Sequence, residues 1–156
     1  MPEASAPVAP DRGRHRVILA FDFGLRRIGV AVGDTVSGTA TPRATLLATA
    51  GEPDWPAIAR EISQYRPDVL VVGRPCDADG RPGRFAPATD KFASALAQRF
   101  ALPVARVDEY ASSFEAADAL RRQRAAGHRR RRVRRGEIDG AAAAIILQRW
   151  LTTPIA

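Results

Sequence analysis

The sequence predicts an α/β domain in which a mixed sheet of about five strands carries helices on both faces. Two short apolar runs, Val17–Phe23 and 28–32, follow one another across a basic turn and are typical of buried strands. Downstream, apolar runs of strand length alternate with segments of helical period. The last of these segments, 138–151, is apolar on nearly every side and predicts a buried helix.

The first half of the chain predicts a meander followed by a helix. Residues 44–49 can add a third antiparallel strand to the first two. Asp54 is suited to cap the helix that follows, because Pro56 lies in its first turn and Pro67 marks its end. One face of that helix is apolar and comprises Trp55, Ile58, Ile62 and Tyr65.

The second half predicts two more strands, each followed by a helix. The strands are 68–73 and 103–107, and the helices are 89–100 and 112–127. The loop 74–84 is polar and glycine-bearing, and it lies at the carboxyl end of a strand, where open α/β sheets bind ligands.

The length of 156 residues suits one domain with a real core. Residues 1–15 are rich in Pro, Ala and charge and predict a disordered tail, so the domain spans 16–152 and leaves a short tail at 153–156. The single cysteine, Cys76, excludes an internal disulfide and a cysteine-based zinc site. Without a signal peptide or a long apolar run, the chain is expected in the cytoplasm and away from membranes.

Positive charge indicates a polyanionic partner such as nucleic acid. The chain carries 24 Lys and Arg against 17 Asp and Glu, a net charge of +7. Arg26 and Arg27 follow the first strand and could contact substrate, or could be ordinary exposed turn residues. A second group lies directly before the last helix, where it could grip phosphates or form a merely solvated loop; its members are Arg129, Arg130, Arg131, Arg132, Arg134 and Arg135.

Three carboxylates stand out because each interrupts an apolar element. Asp22 lies within the first strand, Glu109 just past the strand 103–107, and Asp139 in the first turn of the last helix. Gly24 leaves space for a ligand or a second backbone beside Asp22. If the two strands are parallel neighbours, their carboxylates share one end of the sheet, which the helix can face.

Carboxylates held close together repel one another, and bound divalent metal ions commonly offset this repulsion. Oxygen ligands without His or Cys favour Mg²⁺ or Mn²⁺ over zinc, as one or two ions. Two such ions stabilise the attacking and leaving oxygens of an in-line phosphoryl displacement. We therefore treat the three carboxylates as candidate metal ligands and catalytic residues.

Several short motifs, in their order and spacing, resemble one known family. The motifs are Asp22-Phe-Gly24 with Arg27-Ile-Gly-Val-Ala31, Val71-Val-Gly73, Asp108-Glu109, and Ile138-Asp139-Gly-Ala-Ala142 with Ile146-Leu-Gln148. Over about residues 16–152 the chain resembles the YqgF/RuvX family of pre-16S rRNA nucleases, also described as Holliday-junction-resolvase-like. The resemblance implies a ribonuclease H-like fold and a site at Asp22, Glu109 and Asp139. It also implies hydrolysis of a structured rRNA precursor at the 5′ end of pre-16S rRNA.

One departure from the family pattern concerns the residues after Glu109. The family usually continues with Arg-Leu-Thr-Thr, whereas this chain has Tyr110-Ala-Ser-Ser113. The missing arginine removes a cation that could lie near substrate phosphate, and this puts catalytic rate or substrate handling in question.

Two alternatives to an rRNA nuclease remain open from the sequence. One is a structure-specific DNA endonuclease acting on branched junctions, and the other is a non-catalytic nucleic-acid-binding factor. A sugar-kinase-like ATPase would need two such domains, for which the chain is too short, and no phosphate loop of the Walker type is present. The oligomeric state is also open, with a homodimer among the candidates.

Overall fold

The chain begins its fold with an antiparallel strand pair and continues as an alternation of strands and helices. The computed structural model describes residues 16–76, 83, 85–109 and 135–152, with side chains in the last helix from residue 140 onward. The strands are β1 Val17–Phe23, β2 Arg27–Asp34, β3 Ala40–Thr49, β4 Glu52–Pro53, β5 Val69–Pro75 and β6 Val104–Glu109. The helices are α1 Trp55–Tyr65, α2 Ala86–Phe100 and α3 Arg135–Thr152.

The strands form one mixed sheet in the order β4-β3-β2-β1-β5-β6. β1, β2 and β3 make the predicted antiparallel meander, and β1, β5 and β6 run parallel to one another. The expected parallel direction of 17–23 and 103–107 is therefore confirmed. The two strands are not direct neighbours, which was the condition under which the sequence placed their carboxylates at one end, because β5 lies between them.

Helices cover both faces of this sheet, as predicted. α1 and α2 pack on one face, where Phe21, Ile58 and Phe92 belong to one apolar cluster. α3 packs on the other face, where Ile146 and Trp150 contact the apolar residues of β1 and β5. Because both faces are covered, the central strands are apolar almost throughout.

The sheet has one strand more than the predicted number. β4 consists of only two residues, one of them proline, and pairs with the end of β3. A strand this short has no measurable alternation of apolar residues, and proline is usually confined to sheet edges. The prediction of about five strands is otherwise correct.

Several element boundaries differ from the predicted ones. α2 begins at Ala86 rather than at residue 89, since Pro87 fits the first turn of a helix. α3 begins at Arg135, so the backbone of Arg135 is helical although the sequence assigned it to an unpacked basic block. The predicted helix 112–127, both tails and the remaining arginines of the basic block lie outside the described residues.

The start of α1 follows the sequence closely. The Asp54 side chain accepts a hydrogen bond from the backbone N–H of Ala57 at 3.1 Å, which is the predicted N-cap. The helix ends at Tyr65, and Arg66 takes a left-handed conformation before Pro67. No helix in the described parts of the chain has both the length and the apolarity to cross a membrane.

Candidate active site

Strand alternation places Asp22 and Glu109 on the face that α3 covers. Ile18 and Ala20 pack in the cluster beneath α3, so Asp22, two residues further along β1, points to the same side. In β6, Ala105 and Val107 contact the same cluster, and Glu109 continues that series. Both carboxylates therefore project from the carboxyl ends of parallel strands onto one face.

Gly73 of β5 lies between these two strands and leaves the gap that lets the carboxylates meet. The register pairs Val72 with Phe21, so Gly73 is level with Asp22. A Cβ atom on Gly73 would lie 2.7 Å from Oε2 of Glu109 and 2.7 Å from Cδ1 of Ile146. The Glu109 side chain thus occupies space that any larger residue at position 73 would take.

Across this gap the Asp22 and Glu109 side chains are hydrogen-bonded to each other. Burial raises the pKa of Glu109 above its ordinary value near 4.5, whereas the hydrogen bond to Asp22 and the positive charge of Arg149 oppose that rise. The pair is therefore a partly desolvated site that favours a proton or another cation.

Arg149 of α3 is a site residue that the sequence reasoning did not identify. Its NH1 group donates a hydrogen bond to the backbone oxygen of Asp108 at 3.3 Å, and its charge acts on Glu109. The available signal was a charged residue in the last turn of a mostly apolar helix. Nothing in the sequence indicated that this turn would lie against the end of β6.

Asp139 is the third predicted ligand. Its backbone belongs to the first turns of α3, and its side chain is not among those that the structure describes. The next residue, Gly140, lies against Pro42 of β3, so the helix starts over the meander on the face that carries Asp22. Among the side chains that the structure describes, no three His, Cys, Asp or Glu residues form a group suited to a metal ion. The gathering of all three carboxylates stays a prediction.

The two arginines of the first turn differ in position. Arg27 begins β2 and is half-buried, and it lies two residues from Gly29, which pairs directly with Asp22. Alternation places Arg27 on the same face as Asp22, whereas Arg26 is exposed in the turn. Arg27 is therefore the member of this predicted pair that the fold aligns with the carboxylates.

Gly24 lets a second backbone segment approach closely, which is one of the two uses predicted for it. A Cβ atom on Gly24 would lie 2.6 Å from the carbonyl oxygen of Arg27. The glycine thus permits the tight turn that joins β1 to β2 and brings Arg27 close to the end of β1.

Comparison with known proteins agrees with this fold. The RuvX family model, described as Holliday junction resolvase, matches residues 16–153. A protein of Xanthomonas axonopodis pv. citri (strain 306) named "Putative pre-16S rRNA nuclease" is 44% identical over 99% of this chain and 96% of its own length. A relative of the same name from Xanthomonas campestris pv. campestris (strain B100) is 43% identical over the same shares.

Among solved structures, the Fowlpox virus resolvase in complex with substrate Holliday junction DNA has a similar fold. It aligns with a TM-score of 0.50 and 13% identity, covering 88% of this chain and 99% of that chain. This likeness supports the predicted ribonuclease H-like class of the sheet and helices. Because the family model spans the whole described domain and relatives are similar along nearly the full chain, the protein belongs to the RuvX family.

Proposed function

We propose that this chain is a divalent-metal-dependent nuclease that hydrolyses phosphodiester bonds and processes the 5′ end of pre-16S rRNA. The observation that carries this proposal is the contact between the Asp22 and Glu109 carboxyl groups across Gly73. Two carboxyl groups held together at a partly buried sheet end are costly for a fold unless a cation compensates them. A bound divalent ion would compensate the charge of both carboxylates, so the arrangement suits a metal site.

The donor set fits Mg²⁺ or Mn²⁺. Asp22 and Glu109 offer hard carboxylate oxygens, and the chain has only one cysteine, which supports Mg²⁺ or Mn²⁺ rather than zinc. In this proposal Asp22 and Glu109 hold the ion, and Asp139 joins them from α3. When bound, the ion supplies charge stabilisation for in-line displacement at phosphorus.

The chain's own residues contribute position and charge. Gly73 and Ile146 lie beside the Glu109 carboxylate, because a Cβ atom on Gly73 would lie 2.7 Å from Oε2 of Glu109 and 2.7 Å from Cδ1 of Ile146. Arg27, on the Asp22 face, is suited to contact a substrate phosphate next to the cleaved bond. We assign a wider phosphate-binding role to Arg26 and to the basic block, namely Arg129, Arg130, Arg131, Arg132, Arg134 and Arg135.

The printed names of similar proteins support two substrate classes. The curated relatives are named for pre-16S rRNA, which favours a structured rRNA precursor. The family model is described as a Holliday junction resolvase, which favours branched DNA as the second candidate. We rank RNA first because those relatives align along nearly the full chain. A cytoplasmic location and a homodimer stay predictions of the sequence.

The test is a cleavage assay on purified protein with both substrate classes. Parent protein is incubated with a 16S rRNA precursor or a four-way DNA junction, in Mg²⁺, Mn²⁺ or chelator. We expect cleavage of the RNA with either metal and none with chelator. Preferred cleavage of the junction would favour the DNA endonuclease, and binding without any cleavage would favour the non-catalytic factor.

Variants of the three carboxylates test the site itself. Asp22→Asn, Glu109→Gln and Asp139→Asn should each abolish cleavage while nucleic-acid affinity stays equal or rises, because they remove negative charge without removing a phosphate contact. Asp90→Asn is the matched control, since Asp90 is an exposed carboxylate of α2 paired with Arg106. Cleavage at the parent rate by all three carboxylate variants would refute this active site.

A further inference from the structure

Exposed apolar side chains concentrate at the sheet end that carries the carboxylates. In the described parts of the chain, the strongly exposed large apolar residues are Leu25, Val36, Leu47 and Phe85. Leu25 lies in the β1–β2 turn, Leu47 near the end of β3 and Phe85 directly before α2, all at the end where β1 and β5 finish. Single exposed apolar residues are ordinary, whereas several at one end of a sheet indicate a contact surface.

The pairing register places Leu47 on the same face of the sheet as Asp22. Asp22 pairs with Gly29, and Gly29 pairs with Thr45, so these residues form a row across β1, β2 and β3. Leu47 pairs with Arg27 in the next row on that face, because residues two apart in a strand point to the same side. From the strand spacing and the rise per residue, the backbones of Leu47 and Asp22 are roughly 12 Å apart.

Leu47 lies beyond the part of this face that α3 covers. Gly140 of α3 lies against Pro42, and Leu47 is further along β3 by roughly 17 Å of strand. The Leu47 side chain is 67% exposed, although the neighbouring residue Leu46 packs in the apolar cluster on the opposite face. The exposure of Leu47 therefore follows from where α3 crosses the sheet.

The backbone around Leu47 is held on both sides. The Asp54 N–H donates a hydrogen bond to the Leu47 carbonyl at 3.2 Å, and the Ala48 N–H donates to the Arg26 carbonyl at 2.9 Å. The first bond ties Leu47 to the start of α1, and the second ties its strand to the β1–β2 turn. A ligand that contacts Leu47 would therefore meet a preformed surface, which lowers the entropic cost of binding.

The charge beside Leu47 is positive. Arg27 is its direct cross-strand partner, and Arg26 is exposed in the adjoining turn. Arginine next to an exposed apolar side chain suits a nucleotide, because the arginine attracts phosphate and the leucine can contact the apolar face of a base. Within a continuous duplex those base faces are stacked on one another, so Leu47 can reach one only in an unstacked or single-stranded segment.

We propose that Leu47 is a base-contacting residue that takes an unstacked nucleobase of a single-stranded segment next to the bond that is cut. The proposal rests on the proposed function for the position of that bond, which the Asp22 end of the sheet defines. It makes a single-stranded segment, alone or beside a duplex, the preferred form of the nucleic acid at this site.

The experiment measures dissociation constants by fluorescence anisotropy, in chelator, for RNA ligands of equal length and charge per strand. The ligands are a single strand, the same strand with its central bases removed, and the duplex. We expect Leu47→Ser to weaken binding of the intact single strand about fivefold and to change binding of the other ligands by less than about twofold. Leu47→Phe should tighten the intact single strand about threefold, because an aromatic ring offers a larger surface for stacking.

Val36→Ser is the matched control, since Val36 is 75% exposed but lies in the β2–β3 connection at the opposite end of the sheet. It should leave all three dissociation constants unchanged. An equal loss on the intact and base-free strands, or no loss on either, would overturn the proposal.

Two other occupants of this surface are tested with the same variant. If residues 110–134 of this chain cover Leu47, Leu47→Ser should lower the urea midpoint of unfolding without changing RNA affinity. If a second copy covers it, the variant should change the sedimentation coefficient of the free protein. Either result together with unchanged RNA affinity would overturn the proposal.

Binding in chelator does not require cleavage, so the two proposals can fail separately. A base-dependent effect of Leu47 without any nuclease activity would contradict the proposed function and leave the base contact intact. Cleavage with no base-dependent effect would support the proposed function and remove Leu47 from it.

Discussion

The carboxyl groups of Asp22 and Glu109 are hydrogen-bonded to each other although a whole strand, β5, separates their backbones. The contact is made over Gly73, where a side chain would collide with Oε2 of Glu109. The site therefore depends on a residue that has no functional group. This relationship leads directly to the first prediction.

Gly73→Ala should damage the site more than the fold. The new methyl group would lie 2.7 Å from both Glu109 Oε2 and Ile146 Cδ1, so both groups must move. Both atoms are the far ends of flexible side chains, so the loss of stability should lie at the low end of the about 1–3 kcal/mol that overpacking typically costs. We expect at least a tenfold loss of cleavage rate, checked by single-turnover assays alongside urea unfolding.

Two controls separate stability from geometry in that variant. Asp54→Ala removes the cap of α1, far from the carboxylates, and should cost about 1 kcal/mol with no loss of activity at assay temperature. Adding Ile146→Val to Gly73→Ala removes Cδ1 and should recover stability but not activity, because the collision with Glu109 remains. Recovery of both would show that the glycine serves packing alone.

Glu109→Gln should stabilise the metal-free protein at neutral pH, and the gain should depend on pH. Because the pKa of Glu109 is raised in the fold, the unfolded chain releases its proton first, and the parent loses stability as pH rises from about 4.5 through the raised pKa. The glutamine variant has no such loss. The unfolding free energies of the parent and of Glu109→Gln, measured from pH 4 to 8 in chelator, should therefore diverge as pH rises. Parallel curves for the two proteins would contradict a raised pKa of Glu109.

Addition of Mg²⁺ or Mn²⁺ should stabilise the parent and leave the carboxylate variants unaffected. An ion that binds only the folded state stabilises it by about 2.7 kcal/mol when its concentration is 100 times the dissociation constant. We expect thermal unfolding of the parent to shift upward with added metal, whereas Asp22→Asn and Glu109→Gln shift little. An equal shift in Asp22→Asn would place the ion elsewhere.

Replacing Arg129, Arg130, Arg131 and Arg132 by Ser should weaken nucleic-acid binding at low salt and flatten its dependence on salt. Each lost phosphate contact reduces the log-log slope by roughly 0.7 for a single strand or 0.9 for a duplex. Affinity measured across a salt series checks this. Arg60→Ser with Arg66→Ser, two exposed positions at α1, is the control, and an unchanged slope in the four-residue variant would indicate a solvated loop.

The sequence alone determined which segments form the main strands of the sheet and which carboxylates are candidate site residues. Apolar runs and cap signals are local, so β1, β5 and the start of α1 could be located from neighbouring residues. Asp22 and Glu109 were identifiable because a carboxylate in or beside a buried strand is costly without a partner.

Only the tertiary structure decided how those residues meet. The order of strands is set by pairing between distant segments, so no local sequence pattern indicated that β5 lies between β1 and β6. The roles of Gly73 and Arg149 likewise arise from contacts between segments distant in the chain, a gap on one strand and the last turn of a helix. Local patterns specify elements, whereas a site assembled from several elements depends on packing that joins them.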